Sequence, residues 1–169
     1  MDFSTNLDEI ILYKNTVQKA IGMDDNILAF LSDDPNIKAG SPKASEILFK
    51  NILDHSFCDD TIQVDTALIL VEVEMYSRPT DAVKNMTLNI QVICNNNFIE
   101  LNKKKFKGVI GNRRDNIARY IDAALHTQAA LKMGIGRLQL YSCLPTVGPS
   151  GFSSIMLSYR IPEFARRIK

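Results

Sequence analysis

Apolar residues near the start of the chain recur at helical spacing, which predicts a helix over residues 5–21. Its apolar face consists of Leu7, Ile10, Ile11, Val17 and Ile21. Thr5 can cap this helix, because a threonine side chain accepts hydrogen bonds from the first free N–H groups. Gly22 stands where a helix usually ends.

Two shorter helices are predicted next. One begins after Asp24 or Asp25 and ends before Pro35, because the residue that precedes a proline resists helical geometry. The other follows the cap-like pair Ser41-Pro42 and runs through residue 51. Residues 52–65 show no clear period, and we interpret them as a long loop that leads to a sheet.

An alternating pattern of apolar and polar residues then predicts two strands. The first, over residues 66–76, begins as a continuously apolar run, so both of its faces are expected to be covered there. Further along it, Glu72 and Glu74 share one face. The second strand covers residues 85–94, and a turn at residues 77–81 joins the two as an antiparallel hairpin. Its apolar side consists of Met86, Leu88, Ile90 and Val92.

The longest predicted helix lies in the second half of the chain. Asn112 is its candidate cap, and the helical pattern continues to about residue 132. The glycines of residues 134–136 end it. The apolar repeat at every fourth position consists of Ile117, Ile121 and Leu125.

Two further strands, at residues 138–141 and 153–161, complete the pattern. The order of elements predicts an α+β fold, with an about four-stranded, mainly antiparallel sheet and helices packed on one face. Residues 1–169 are expected to form a single domain. Its N-terminal part, residues 1–60, is helical, and residues 65–165 supply the sheet and the long helix.

Charge is divided unevenly along the chain. Residues 1–65 carry twelve acids and five lysines, net −7, whereas residues 66–169 carry seven acids and fifteen bases, net +8. The total of +1 excludes a protein that is basic as a whole and binds nucleic acid by charge alone. Two interpretations stay open: an acidic face of one subunit contacts a basic face of the next, or both halves are solvated.

Catalytic and metal-binding residue types are present, but not at the required spacing. The cysteines, interpreted as reduced thiols, are Cys58, Cys94 and Cys143. They form no C-x-x-C pair, and neither His55 nor His126 has a ligand-type residue at metal spacing, so no metal or cofactor is expected. The glycines at residues 134–136 follow a helix and precede a strand, which is the reverse of a phosphate loop. Without a nucleophile signature, we predict that the protein is not an enzyme.

The candidate contact residues form two groups. The first is a basic run that contains Lys103, Lys104, Lys105, Lys107, Arg113 and Arg114. The second is the pair Glu72 and Glu74. The basic run can bind phosphates, remain solvated at a loop tip, or contact an acidic neighbouring subunit; the division of charge favours the third. Only Phe106 interleaves with these bases, so stacking on single strands has little support.

Three stretches together resemble a known family. They are the hairpin sequences ALILVEVEMY and NMTLNIQVIC, the motif GNRRD at residues 111–115 that opens a helix, and GIGRLQLYS at residues 134–142 before a glycine-containing loop and a closing strand. The arrangement is similar to the tail-terminator group of long-tailed bacteriophages, also called tail-completion or head–tail joining proteins. The resemblance spans about residues 65–165.

The resemblance implies a structural virion protein that is made in the host cytoplasm. Subunits of that group form homo-oligomeric rings, expected here to be hexameric, between the tail tube and the head connector or other neck proteins. Viral DNA passes through the lumen without specific binding, and neither a membrane nor a cofactor is involved. The alternatives are another neck or tail-tube component, a small nucleic-acid-associated protein that uses the basic run, and a small hydrolase with His55 or His126.

If the basic run forms an intersubunit or inter-ring contact, reversing its charge should abolish assembly. We expect the triple substitution Lys104→Glu, Lys105→Glu and Arg114→Glu to leave the monomer folded but to prevent ring formation. Size-exclusion chromatography and electron microscopy measure the outcome, and unchanged rings would contradict the hypothesis.

Overall fold

The computed structural model describes residues 6–55, 66–80, 83–127 and 138–164. These ranges contain, in chain order, α1 (Asn6–Gly22), α2 (Asp25–Ser32), α3 (Pro42–Asn51), β1 (Ile52–Leu53), β2 (Ala67–Thr80), β3 (Val83–Asn95), α4 (Arg113–Thr127), β4 (Gln139–Thr146) and β5 (Phe152–Phe164). Several predicted features lie outside the described residues: the Thr5 cap, Cys58, most of the 52–65 loop and the glycines at residues 134–136. So does the continuation of the long helix beyond Thr127.

The strands form one mixed sheet in the order β1-β2-β3-β5-β4. The expected antiparallel hairpin is confirmed, because β2 pairs antiparallel with β3, as β3 does with β5 and β5 with β4. The expected strand number was one too low. The parallel strand β1, which pairs Ile52 with Ile69 and Leu53 with Leu70, lies in the segment interpreted as a loop. Two residues are too short a run to show a period, so the pattern could not reveal it.

All four predicted strands extend further than the sequence pattern predicted, including β3, which runs from Val83 to Asn95. The segment expected to be a turn, residues 77–81, instead continues β2 to Thr80, which pairs with Val83 across only residues 81–82. The third predicted strand continues past residue 141 to Thr146. Pro162, whose missing N–H suggests a strand end, lies within β5 opposite Asn85. The described pairing of β4 with β5 reaches Arg160, two residues before this proline.

The helices cover one face of the sheet, as predicted. Alternate residues of β2, β3 and β5 point to that face and are buried, among them Val71, Ile90 and Tyr159. α4 contributes the predicted repeat of Ile117, Ile121 and Leu125, all buried. The opposite face holds a smaller buried cluster of Leu68, Leu70 and Ile93, which explains the continuously apolar start of β2.

The predicted helix caps of α2, α3 and α4 are confirmed. The Asp24 carboxylate accepts hydrogen bonds from the N–H groups of the first turn of α2, and the Ser41 hydroxyl accepts one from Ala44 in α3. The Asn112 side chain accepts one from the Asp115 N–H in α4. Each cap satisfies a donor that the helix itself cannot pair.

Gly22 does end α1, but its role is packing. A Cβ atom at this position would lie 2.5 Å from Cδ1 of Leu48, so a larger residue would require the Leu48 side chain to shift.

Candidate functional site

The fold divides the basic run into charges used inside the protein and charges exposed at its surface. Lys103, Lys104 and Lys107 are exposed on the connection between β3 and α4. Arg113, by contrast, is 1% exposed. The expectation that Arg113 contacts a partner was therefore wrong, because its guanidinium is enclosed by the protein's own chain.

The Arg113 side chain joins segments that are distant in sequence. Its Nη1 donates to the carbonyl of Phe30 at 2.6 Å, its Nε to the carbonyl of Phe98 at 2.7 Å, and its Nη2 to Oδ1 of Asp33 at 2.7 Å. The Arg113 backbone N–H donates to the carbonyl of Ile99 at 2.9 Å. A guanidinium suits this position because its planar fork presents several donors in fixed directions.

These contacts place positive charge at the C-terminal end of α2, where the helix dipole is negative and the last carbonyls lack partners. Asp33 is the C-cap residue and adopts the left-handed conformation, with φ 55°. Lys105 adds a second cation, since its Nζ donates to the Asp33 carbonyl at 3.0 Å and also to the Asp33 carboxylate. Lys105, a predicted partner contact, thus has an internal role.

Aromatic rings surround the Arg113 guanidinium. The ring centroid of Phe98 lies 3.7 Å from its Cζ, and that of Phe106 lies 5.8 Å away. Phe106 in turn stacks on Phe30 with centroids 5.0 Å apart, and Phe30 stacks on Tyr120 at 5.6 Å. The guanidinium is attracted to the π faces of these rings, which take the place of water around its charge. Phe106 is therefore buried and gives a nucleic acid no exposed surface on which to stack.

The remaining predicted contact residues lie near the surface. Arg114 pairs with Asp115, its neighbour in α4, at 2.7 Å. Glu72 accepts a hydrogen bond from Lys14 of α1 at 2.6 Å, and Glu74 lies half-buried on the same strand face. Their role in partner contacts stays a prediction.

An open groove lies between the end of α2 and the connection that carries the lysines. Its volume is about 740 Å³, and its lining consists of Ser32, Asp33, Asp34, Pro35, Asn36, Lys43, Lys104, Lys105 and Lys107. We call it the basic groove. It brings three lysines of the predicted run together and adds Lys43, whose Nζ lies 2.7 Å from Oδ2 of Asp34. Sequence reasoning missed Lys43 because it belongs to α3, far away in the chain.

The strand β4 forms one edge of the sheet and exposes apolar side chains. Tyr141 is 56% exposed and Leu144 61% exposed, and Val147 just beyond the strand is almost fully exposed. No described strand pairs with its outer side. Side-chain hydrogen bonds hold the strand end in place, since the Thr146 hydroxyl lies 2.8 Å from the Ser154 hydroxyl.

The opposite edge of the sheet is also largely without a strand partner in the described ranges. β1 pairs with β2 only at Ile69 and Leu70, so β2 from Val71 onward has a described strand on one side alone. Glu72 and Glu74 lie along this open stretch. We call the two edges the β4 edge and the β2 edge.

The hydrolase alternative requires a histidine beside an activated nucleophile. His126 Nδ1 lies 2.8 Å from the carbonyl and 3.2 Å from Oδ1 of Asp122, and the Tyr159 hydroxyl donates to the same carboxylate at 3.0 Å. Burial, with the charge and hydrogen bond of Asp122, raises the pKa of Tyr159 far above its ordinary value. Burial also raises the pKa of Cys94 to about 11. Both groups stay protonated at neutral pH, unlike an activated nucleophile.

The described residues contain no further candidate for a metal site or a membrane span. No group of three or more His, Cys, Asp and Glu residues in these ranges is placed to hold a metal ion. None of their helices combines the length and the apolar character needed to cross a bilayer. His55 is exposed, with its Nδ1 3.2 Å from Oδ1 of Asp54.

The Arg113–Asp33 pair was the main feature that sequence reasoning missed. One local signal was present: Arg113 and Arg114 occupy the first turn of α4, where the helix dipole disfavours cations. An arginine in that position indicates an acidic or carbonyl partner elsewhere. The pattern could not identify Asp33, because 80 residues separate it from Arg113.

Comparison with known proteins gives one family match. The family model described as YomW matches residues 24–161. This range begins at the cap of α2 and ends within β5, so it includes the Arg113–Asp33 pair, the basic groove and both sheet edges. No curated protein matches the chain.

We expect Arg113→Met to lower the free energy of unfolding by about 3–5 kcal/mol, because it leaves Oδ1 of Asp33 and the carbonyls of Phe30 and Phe98 without their donor. Guanidinium chloride denaturation followed by circular dichroism measures this change. Arg114→Met is the matched control, since its ion pair with Asp115 is partly exposed and worth less than about 1 kcal/mol. Equal losses in the two variants would contradict the role of Arg113.

The charge of Asp33 should make stability depend on acid pH. Partial burial acts to raise its pKa, but the hydrogen bonds and charges of Lys105 and Arg113 outweigh it and hold the pKa below its ordinary value. The ionised carboxylate therefore stabilises the fold above about pH 4, and this contribution is lost as the pH falls through the folded-state pKa. Asn tolerates the left-handed conformation, so Asp33→Asn removes mainly the charge.

We expect the difference in unfolding free energy between wild type and Asp33→Asn to be constant from about pH 7 to about pH 5. Below about pH 4 it should shrink as wild type loses the same charge. Urea denaturation at each pH gives the difference directly. A gap that widens on acidification would show that the charge of Asp33 does not stabilise the fold.

Proposed function

The chain belongs to the phage-derived YomW family, and from this premise we propose that it is a structural subunit of the phage particle. In this proposal the subunits form a tail-terminator or neck ring between the tail tube and the head connector. The ring is taken to be a hexamer with a lumen through which viral DNA passes. The assembled protein then belongs to the virion and acts by holding neighbouring rings together, without a catalytic step.

The β4 edge is the observation that carries this proposal. Its outer backbone groups have no strand partner in the described chain, and Tyr141 and Leu144 expose large apolar side chains beside them. An exposed apolar edge promotes pairing with another chain, and monomeric proteins usually protect such an edge with charges or prolines. Pro145 lies in β4, but charged residues are absent from Gln139–Thr146. A subunit whose β4 edge is covered by a neighbouring subunit does not need such charges or prolines.

The two sheet edges are suited to a head-to-tail contact. A ring requires two different complementary surfaces on each subunit, and the β4 edge and the β2 edge lie at opposite sides of one sheet. Because neighbouring strands from β2 to β4 alternate in direction, β4 of one subunit would run antiparallel to β2 of the next in a continued sheet.

Charge supports the same pairing. Glu74 of β2 and Arg160 of β5 lie in one cross-strand row, on the sheet face away from the helices. Arg160 is exposed and is one strand away from the β4 edge. In a continued sheet, Glu74 of one subunit would therefore lie near the Arg160 of its neighbour.

Another neck or tail-tube component would use the same edge contacts, so position in the particle separates the two assignments. Electron microscopy of assembled particles, with the subunit located by a fused tag, makes the distinction. Density at the junction of tail tube and head connector supports the terminator assignment. Density repeated along the tail would instead identify a tube subunit.

We expect the double substitution Tyr141→Lys and Leu144→Lys to convert rings into folded monomers. Burying one large apolar side chain contributes about 1.5–3 kcal/mol, so losing two should weaken subunit association by roughly a hundredfold or more. The new charges also oppose edge pairing. Size-exclusion chromatography with light scattering measures the mass, and circular dichroism checks the fold.

Phe49→Lys with Met23→Lys is the matched control, because both residues are exposed apolar side chains on the helical part of the protein. This variant should still form rings. Rings that survive the β4 substitutions, or that are lost equally in the control, would overturn the edge-pairing proposal.

A further inference from the structure

The basic groove contains more positive than negative charge, and its acids are already paired. Asp34 lies 2.7 Å from the Nζ of Lys43, and Asp33 is shared by Lys105 and Arg113. The hydrogen bond from Lys43 is the main cause that lowers the pKa of Asp34. Both carboxylates therefore remain ionised and engaged at neutral pH, and neither is left to neutralise a further lysine.

Two lysines of the lining stay available after this pairing. Lys104 and Lys107 are exposed, and within the described residues no carboxylate forms an ion pair with either of them. They face the same groove as the Asp34–Lys43 pair. The groove thus presents two unpaired ammonium groups in a concave setting, where a partner's negative groups can meet both.

The connection that carries these lysines is held in a fixed conformation. The Asn102 carbonyl accepts hydrogen bonds from the N–H groups of Lys105 and Phe106, and its side chain accepts one from the N–H of Lys104. The Phe106 ring is buried against Phe30. A connection that is already ordered loses little conformational entropy when a partner binds. This order favours a role in partner binding over the alternative of a loop tip that is only solvated.

The composition of the groove suits a polypeptide better than a nucleic acid. Asp33 and Asp34 lie among the lysines of the lining, so the groove is not the uniformly positive track that the regular phosphates of a nucleic acid backbone follow. Phe106 is buried and cannot stack on bases, while Arg113 and Arg114, the residue type preferred for phosphate, are engaged within the chain. A peptide can instead place carboxylates at irregular intervals.

From this charge complementarity, we infer that the basic groove binds an acidic segment of a partner protein. Carboxylates of its Asp or Glu side chains pair with Lys104 and Lys107, and the polar side chains of Ser32 and Asn36 lie beside its backbone. This site is separate from the β4 and β2 edges, so the inference does not depend on ring formation.

A fluorescein-labelled hexaglutamate peptide tests the inference by fluorescence anisotropy with the full-length protein. We expect saturable binding that weakens as salt rises, and a loss of at least about tenfold in affinity for the double variant Lys104→Gln, Lys107→Gln. The matched control, Lys103→Gln with Lys50→Gln, removes the same charge from exposed lysines outside the groove and should change affinity less than about twofold.

Three results would overturn the inference: no saturable binding of hexaglutamate by wild type, an equal loss in both double variants, or tighter binding of single-stranded oligothymidylate with the same charge. The last would assign the groove to nucleic acid. Thermal unfolding of each variant excludes a folding defect. Repeating the titration with the uncharged variant Tyr141→Ser, Leu144→Ser separates groove binding from assembly, because retained binding there supports the groove even if the ring proposal fails.

Discussion

The fold depends on enclosing one positive charge. Arg113 is almost fully buried, and an isolated buried cation would cost several kcal/mol, so each of its three side-chain nitrogens pairs with an acceptor. The acceptors are the carbonyls of Phe30 and Phe98 and the carboxylate of Asp33. These groups come from the end of α2 and the segment after β3. The hydrogen bonds of this guanidinium therefore fix where α2, α4 and the connection between β3 and α4 lie relative to one another.

The same requirement separates structural charges from charges that a partner can use. Arg113 and Lys105 stabilise the C-terminal end of α2, where carbonyls and the helix dipole attract cations. Lys104 and Lys107 belong to the same run of sequence but face the basic groove. Amino-acid composition does not distinguish these four bases. Their environments do, because two of them stabilise the end of α2 and two of them face the groove. Hydrogen bonding to a helix end fixes the first pair, while water or a partner surrounds the second.

The sheet imposes a second constraint, because an open sheet has two edges whatever its sequence. β1 covers only two residues of β2, and no described strand covers the outer side of β4. The apolar side chains Tyr141 and Leu144 make the β4 edge costly to leave in water. In the proposed ring, a neighbouring subunit would cover these edges. The helical face and the groove then remain for other contacts.

The sequence by itself determined much of the local structure and of the core, although Leu7 and Ile11 of the predicted apolar face of α1 are exposed. Helix caps at Asp24, Ser41 and Asn112, the hairpin of β2 and β3, and the buried repeat of α4 all follow from spacing and from hydrogen-bonding capacity within a few residues. Only the tertiary structure decided the rest. The strand β1 is too short to show a period, and β2 and β5 continue through turn-like residues because neighbouring strands pair with them. Likewise, which bases are buried and which face a groove depends on Asp33 and Lys43, which are distant in sequence. Spacing reports which face of an element is apolar, but it contains no information about which distant residue will neutralise a charge.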